Sequence, residues 1–307
     1  MLKNGITHEN LGFDVTELSL EKLKQANEIY ICPSFLCNLN CPHCTLKNLP
    51  TCMELEKIEQ TLDYIIQNSG DNVLFDLFGG EPLLLQDYVL ERIHKKIKQK
   101  KYVISTNLLL FRPALLPLFK EAKQINVSWN PLRFNEEQFK IWETKTQVLR
   151  TAKVKINLMI TLTKDLIQNY MPQQFLDFIK DFKAYSLDLD YVIGEEYTEE
   201  RLDSIDNWLC ELYKIWNIPT IFDIADSIKK SILSKQKYRD CSNHYTILPS
   251  GKIHPGCAYF ETDVDKTKCL CCELYQWCNG ACRLQTSCTF PKKLFYLIKK
   301  EIECEMV

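Results

Sequence analysis

Cys37, Cys41 and Cys44 in "CNLNCPHC" (37–44) are separated by three and then two residues, on a polar stretch that directly follows the apolar run "EIYICPSFL" (28–36). Thiols at this spacing can hold zinc or an iron–sulfur cluster. A closed structural zinc site wants four ligands, and the fourth is not obvious here. Cys52 lies eight residues on, His43 sits between two of the thiols, and Cys32 lies upstream. Three thiolates instead suit a [4Fe–4S] cluster with one iron left open to bind another molecule. A second candidate is "LFGGEP" (77–82). Gly79 and Gly80 permit close approach of backbone to a ligand, and Glu81 offers a carboxylate to an ammonium group. The same letters also describe a glycine turn with Pro82 in the first turn of a helix.

The chain has 15 cysteines, five of them between Cys32 and Cys52 and nine between Cys241 and Cys304. A reduced cytosolic chain rarely carries so many unless they hold something. A disulfide scaffold would be shorter and secreted. The N-terminal residues lack an apolar signal core, and no later stretch approaches 18 uncharged apolar residues, so a cytoplasmic location is expected. A formal net charge of −2 gives no electrostatic argument for nucleic acid.

The elements that must position these groups alternate along the chain. Strand-like runs recur at 28–36, 72–78, 102–107, 125–130, 154–161 and 187–194, each followed by a segment with helical spacing. Pro172 interrupts the fifth helical segment. Repeated β-α units imply a parallel sheet with right-handed crossovers. The fold class predicted is α/β, a partial (β/α)6 TIM-like barrel with a small cysteine-rich C-terminal iron–sulfur domain. Its chemistry is expected at the C-terminal ends of the strands, where the cysteine loop and the Gly-Gly-Glu both fall.

Those two motifs, in that order, resemble the radical S-adenosylmethionine (SAM) enzymes over about residues 28 to 195. The resemblance implies a [4Fe–4S] cluster on Cys37, Cys41 and Cys44, whose open iron chelates the methionine moiety of SAM. Electron transfer then cleaves SAM to methionine and a 5′-deoxyadenosyl radical that abstracts hydrogen from a substrate. It further implies that His43 stacks on the adenine and that Gly79, Gly80 and Glu81 receive the methionine amino group. Thr106, Asn107 and Ser128 become SAM contacts, although Leu108 replaces the glycine of the family's Thr-Asn-Gly segment. Ordinary strand-end capping is the plain alternative for Asn107, Ser128 and Asn157.

The tail, "CLCCELYQWCNGAC" (269–282) with Cys241, Gly251 and Cys257 upstream, resembles the SPASM extension of that family, which carries two auxiliary [4Fe–4S] clusters. The implied ligands are Cys241, Cys257 and Cys282 for one cluster and Cys269, Cys272 and Cys278 for the other. Cys288 completes the second better than Cys304 does. An eighth cysteine found in some members is missing. Cys271 is left over, and Cys32, Cys52 and Cys210 read as small buried hydrophobes. A zinc ribbon is the other reading of four of these cysteines. The expected organisation is an N-terminal extension at 1–27, the partial barrel at 28–218, a linker helix at 219–240 and the auxiliary-cluster domain at 241–307.

SPASM enzymes mostly modify ribosomally made peptides, forming crosslinks or thioethers or oxidising side chains, so the expected activity is that of an oxidoreductase-type peptide maturase. Relatives that mature sulfatases have an aspartate where this chain has Ala258, which disfavours that reaction. The expected partners are a peptide substrate, with a separate leader-binding protein where one is needed, and an electron donor such as flavodoxin or ferredoxin. The alternatives are the same chemistry on a small molecule, or a zinc-stabilised binding protein without catalysis.

Overall fold

The structure is a computed structural model, and it describes residues 13–14, 19–42, 44, 52–130, 133–192, 197–238, 243–256, 269, 271–278 and 288–306. These form two compact units. The first contains β1 (Phe13–Asp14), α1 (Leu20–Lys24), β2 (Glu28–Ile31), α2 (Leu55–Asn68), β3 (Leu74–Leu77), α3 (Asp87–Ile97), β4 (Lys101–Thr106), α4 (Leu116–Glu121), β5 (Gln124–Trp129) and α5 (Glu136–Thr151). The second contains β6 (Ile156–Leu162), α6 (Lys164–Asn169), α7 (Pro172–Phe182), β7 (Ser186–Tyr191), α8 (Glu199–Ile215), β8 (Ile221–Phe222), α9 (Asp223–Ser234) and a C-terminal helix, Lys292–Glu305. The hairpin of β9 (His244–Ile247) and β10 (Lys252–Pro255) returns to the first unit. All six expected strands are present, each followed by helix, and the fold is the mostly parallel α/β, TIM-like one anticipated.

In the first unit β2, β3, β4 and β5 run parallel in chain order. On the other side of β2 lies β9, also parallel, with β10 and then β1 antiparallel beyond it. In the second unit β6, β7 and β8 are parallel neighbours. Side chains alternate across a strand, so the registers sort the first unit's sheet into two faces. Ile29, Ile31, Phe75, Leu77, Tyr102, Ile104, Ile125, Val127, Tyr245 and Ile247 share an apolar, buried face. The buried stripes of α2 (Ile58, Leu62, Ile65) and α3 (Leu90, Ile93, Ile97) complete that core. Glu28, Tyr30, Asp76, Ser105, Asn126, His244 and Thr246 share the opposite face.

Pro172 does not kink one helix but divides two. It takes the first position of α7, where its missing N–H costs nothing, and α6 ends at Asn169 with Tyr170 as its C-cap. Asp206 of α8 accepts from the backbone N–H groups of Lys293 (2.7 Å) and Leu294 (3.1 Å). It thereby caps a C-terminal helix that has no side-chain cap of its own. Among the described residues no helix is long and apolar enough to cross a membrane.

Candidate functional site

The cysteine loop leaves the C-terminal end of β2 through a narrow neck. Cys32 donates its N–H to Ile247 O (3.0 Å), Met53 N–H reaches Pro33 O (2.8 Å), and Ser34 bridges to Cys52. Within the loop Cys41 is buried and Cys37 and Cys44 are half-buried, with Cys44 N–H on Cys41 O at 3.1 Å. Cys37 Sγ accepts from Leu39 N–H at 3.4 Å, and Asn107 Nδ2 lies 4.0 Å away. Three soft thiols in one loop are the donor set an iron–sulfur cluster uses. Among the described residues no three Cys, His, Asp or Glu side chains converge as a metal site. His43 lies outside the described residues.

Gly79 and Gly80 press against the run-up to this loop. A Cβ on Gly79, whose φ is 138°, would sit 2.5 Å from Ser34 O and 2.8 Å from Cys32 Sγ, and one on Gly80 would sit 2.0 Å from Leu36 O. Only glycine allows that approach. It lets Gly80 N–H donate to Ser34 O (2.9 Å) and Glu81 N–H to Leu36 O (2.7 Å), joining the end of β3 to the segment that presents Cys37.

The Glu81 side chain is buried and faces the protein. Oε1 accepts from Thr106 Oγ1 (2.6 Å) and Leu83 N–H (3.0 Å), and Oε2 accepts from Asn107 N–H (2.7 Å). Thr106 Oγ1 also accepts from Leu108 N–H (2.9 Å), and Asn107 Oδ1 accepts from Leu109 N–H (3.0 Å). Between them Leu108 takes φ 66°, a left-handed backbone costing about 1–2 kcal/mol for a side chain of this kind. The conformation expected of a glycine is therefore kept, enforced by these bonds and by complete burial of the leucine. Asn107 Nδ2 donates to Asn38 Oδ1 at 2.8 Å. Ser128 Oγ lies 3.5 Å from Thr106 O at the end of β5. Gly80, Glu81, Thr106, Asn107 and the Cys37 end of the loop thus form one hydrogen-bonded rim, with Ser128 beside it.

Below that rim, on the polar face of the sheet, lies a group that the motifs do not include. Asp76 is buried, with Ser105 Oγ at 2.9 and 3.0 Å from its two oxygens, and Ser105 Oγ in turn accepts from Asn126 Nδ2 at 3.0 Å. Desolvation, then the neighbouring Glu28, push the Asp76 carboxyl up to about 8, against the hydrogen bonds of Ser105 and Asn126. Glu28 is itself raised, chiefly by burial, and its Oε2 lies 3.6 Å from His244 Nδ1. The available signal was a carboxylate in the middle of the apolar strand "NVLFDLF".

Cys32 is fully buried, and burial raises its thiol far above the ordinary range. Cys52 is instead exposed, because it lies at the loop's neck rather than in the core, and Cys210 is half-buried with a thiol pushed up to about 11, first by burial. In the second unit Cys269 and Cys272 share a tight turn (Cys272 N–H to Cys269 O, 3.0 Å), Cys278 is buried, and Cys271, Cys288 and Cys304 are exposed. Cys241, Cys257 and Cys282 lie outside the described residues.

A family model described as the radical SAM superfamily matches residues 31–209. An uncharacterized protein of Archaeoglobus fulgidus is 34% identical over 82 residues, which is 25% of this chain and 19% of that protein. Among solved structures, native anSMEcpe with bound AdoMet and Cp18Cys peptide superposes with a TM-score of 0.74 at 15% identity, over 91% of this chain and 98% of that one. SuiB of Streptococcus suis bound to its precursor peptide SuiA gives 0.59 at 17% identity, over 84% and 72%. At such identities the likeness is one of fold.

Proposed function

The chain belongs to the radical SAM superfamily, and from that premise we propose that it is an enzyme that modifies a peptide, with Cys37, Cys41 and Cys44 as ligands of a SAM-binding [4Fe–4S] cluster. When bound, the reduced cluster and SAM supply a 5′-deoxyadenosyl radical that takes a hydrogen atom from the substrate. The chain's own residues arrange the site. Gly79 and Gly80 seat the cysteine loop, Glu81 locks the ends of β3 and β4 together, and Ser128 borders the rim from β5. The observation that carries the reading is this convergence of the ends of β3 and β4 on one thiol-bearing loop that leaves the end of β2.

The peptide substrate is supported by the fold shared with two proteins solved with peptides bound. Cys269, Cys272, Cys278 and Cys288, with Cys241, Cys257 and Cys282, are assigned to two auxiliary clusters on the spacing of the tail. Ala258 removes the acid that sulfatase-maturing relatives carry there, which directs the reading to a crosslink, a thioether or another oxidation.

Anaerobically reconstituted protein is expected to hold on the order of 12 iron and 12 sulfide per chain. Changing Cys37, Cys41 and Cys44 together to Ala should remove about four of each and abolish 5′-deoxyadenosine formation. Stoichiometric zinc with little iron would refute the enzyme and leave a zinc-stabilised binding protein.

A further inference from the structure

Asn107 stands where the family resemblance suggests a SAM contact, yet both ends of its side chain and its backbone N–H are already engaged by the protein. An asparagine side chain offers two N–H donors and one carbonyl. Nδ2 donates to Asn38 Oδ1 at 2.8 Å and lies 4.0 Å from Cys37 Sγ, the outer limit of an N–H···S contact. Oδ1 accepts from Leu109 N–H, and the backbone N–H is bound by Glu81 Oε2. The residue is 2% exposed. Its aim is enforced from both sides, by the Glu81 carboxylate before it and by the left-handed Leu108 after it. Strain of this kind persists only where the surroundings over-determine it. Here it turns a side chain from the end of β4 toward the cysteine loop.

Resting on the cluster assignment above, we infer that Asn107 is a positioning residue for the cysteine loop, holding Asn38 and the Cys37 sulfur and setting the reduction potential of the cluster, and that it is not a SAM contact. Hydrogen bonds to cluster sulfurs are among the main determinants of potential. A donor near a thiolate ligand stabilises the reduced, more negative cluster and raises its potential. Outer partners of metal ligands also orient them.

Asn107→Asp keeps the shape, removes the donor and adds negative charge. Asn38→Ala, at an exposed position, removes the acceptor that steers the amide and serves where the first variant fails to fold. The full chain is reconstituted anaerobically and titrated potentiometrically with electron paramagnetic resonance detection. The SAM cluster is recognised as the signal that changes when SAM is added, and SAM affinity is measured by equilibrium dialysis on the same samples. Asn107→Asp should give a more negative midpoint for that signal. Asn38→Ala, which also removes the Asn38 oxygen 4.0 Å from Cys37 Sγ, should give a smaller shift in the midpoint. Both should keep SAM affinity within about tenfold of the wild type, or 1.4 kcal/mol. An unchanged midpoint, or a loss of SAM affinity beyond tenfold, overturns the inference. A wild-type protein that loads iron but shows no SAM-responsive signal removes the cluster assignment itself, a failure distinct from that of Asn107.

Discussion

Asp76→Asn should make the protein's stability less sensitive to pH, with a magnitude set by the burial of that carboxyl. Its ordinary value is 3.8 and in the fold it is pushed up to about 8. Above the unfolded value the unfolded chain gives up the proton while the folded chain keeps it. The stability associated with neutral Asp76 is therefore complete below about pH 4 and is lost as pH rises to about 8. Each pH unit inside that window costs about 1.4 kcal/mol, which gives about 3 kcal/mol between about pH 5.5 and about pH 8.5, where the loss levels off. The groups on the same polar face are Glu28, Tyr30, Ser105, Asn126, His244 and Thr246, and Glu28 adds to the shift as a like charge. Asparagine keeps the volume and a carbonyl for the donors of Ser105 and Asn126 but cannot ionise. Measured by urea denaturation of the anaerobic protein, the variant should gain about 3 kcal/mol relative to the wild type from the acid to the alkaline end of that range. A difference that stays constant with pH, or that grows toward acid, would show that Asp76 is ionised in the fold and that the reasoning is wrong.

Gly80→Ala places a methyl 2.0 Å from the Leu36 carbonyl oxygen. Backbone cannot step aside as a flexible side chain can, so stability should fall by roughly 3 kcal/mol or more and iron uptake by the cysteine loop should drop, both read on one preparation. Asp206→Ala leaves the N–H groups of Lys293 and Leu294 without their acceptor. A loss of about 2–4 kcal/mol is expected in thermal or urea melts, with Asp206→Asn intermediate, and a loss below about 0.5 kcal/mol would mean that water caps the C-terminal helix equally well.

The repeated units were legible because their signal is local. Runs such as "NVLFDLF" and "VKINLMIT", followed by amphipathic segments, name strand and helix without knowledge of partners. Elements that exist only through distant pairing were not legible. β1 and β8 have two residues each, and the β9–β10 hairpin joins the sheet through β2, far back in the chain. The same division holds at the site. Cysteine spacing is local and was read directly. Glu81 reads in the sequence as a carboxylate offered to an ammonium group, and what the sequence does not show is that this carboxylate also accepts from Thr106 and Asn107, about 25 residues away. Leu108 stood in the sequence as a departure from glycine, yet the backbone keeps a glycine-like φ because buried hydrogen bonds on either side hold it there.

The pairing of β2 with both β3 and β9 also sets a schedule for synthesis. A ribosome delivers the cysteine loop early, with β3 available soon after, but the other flank of β2 stays unpaired until residues 244–247 have emerged. Until then β2 is an edge strand, with a row of open N–H and C=O groups and a thiol-bearing loop hanging from its end. Cys32 N–H, which marks the root of that loop, finds its partner only in Ile247. The nascent chain therefore carries a thiol-bearing loop on an unpaired edge for most of translation, and the late hairpin ends the interval in which that segment can mispair or oxidise.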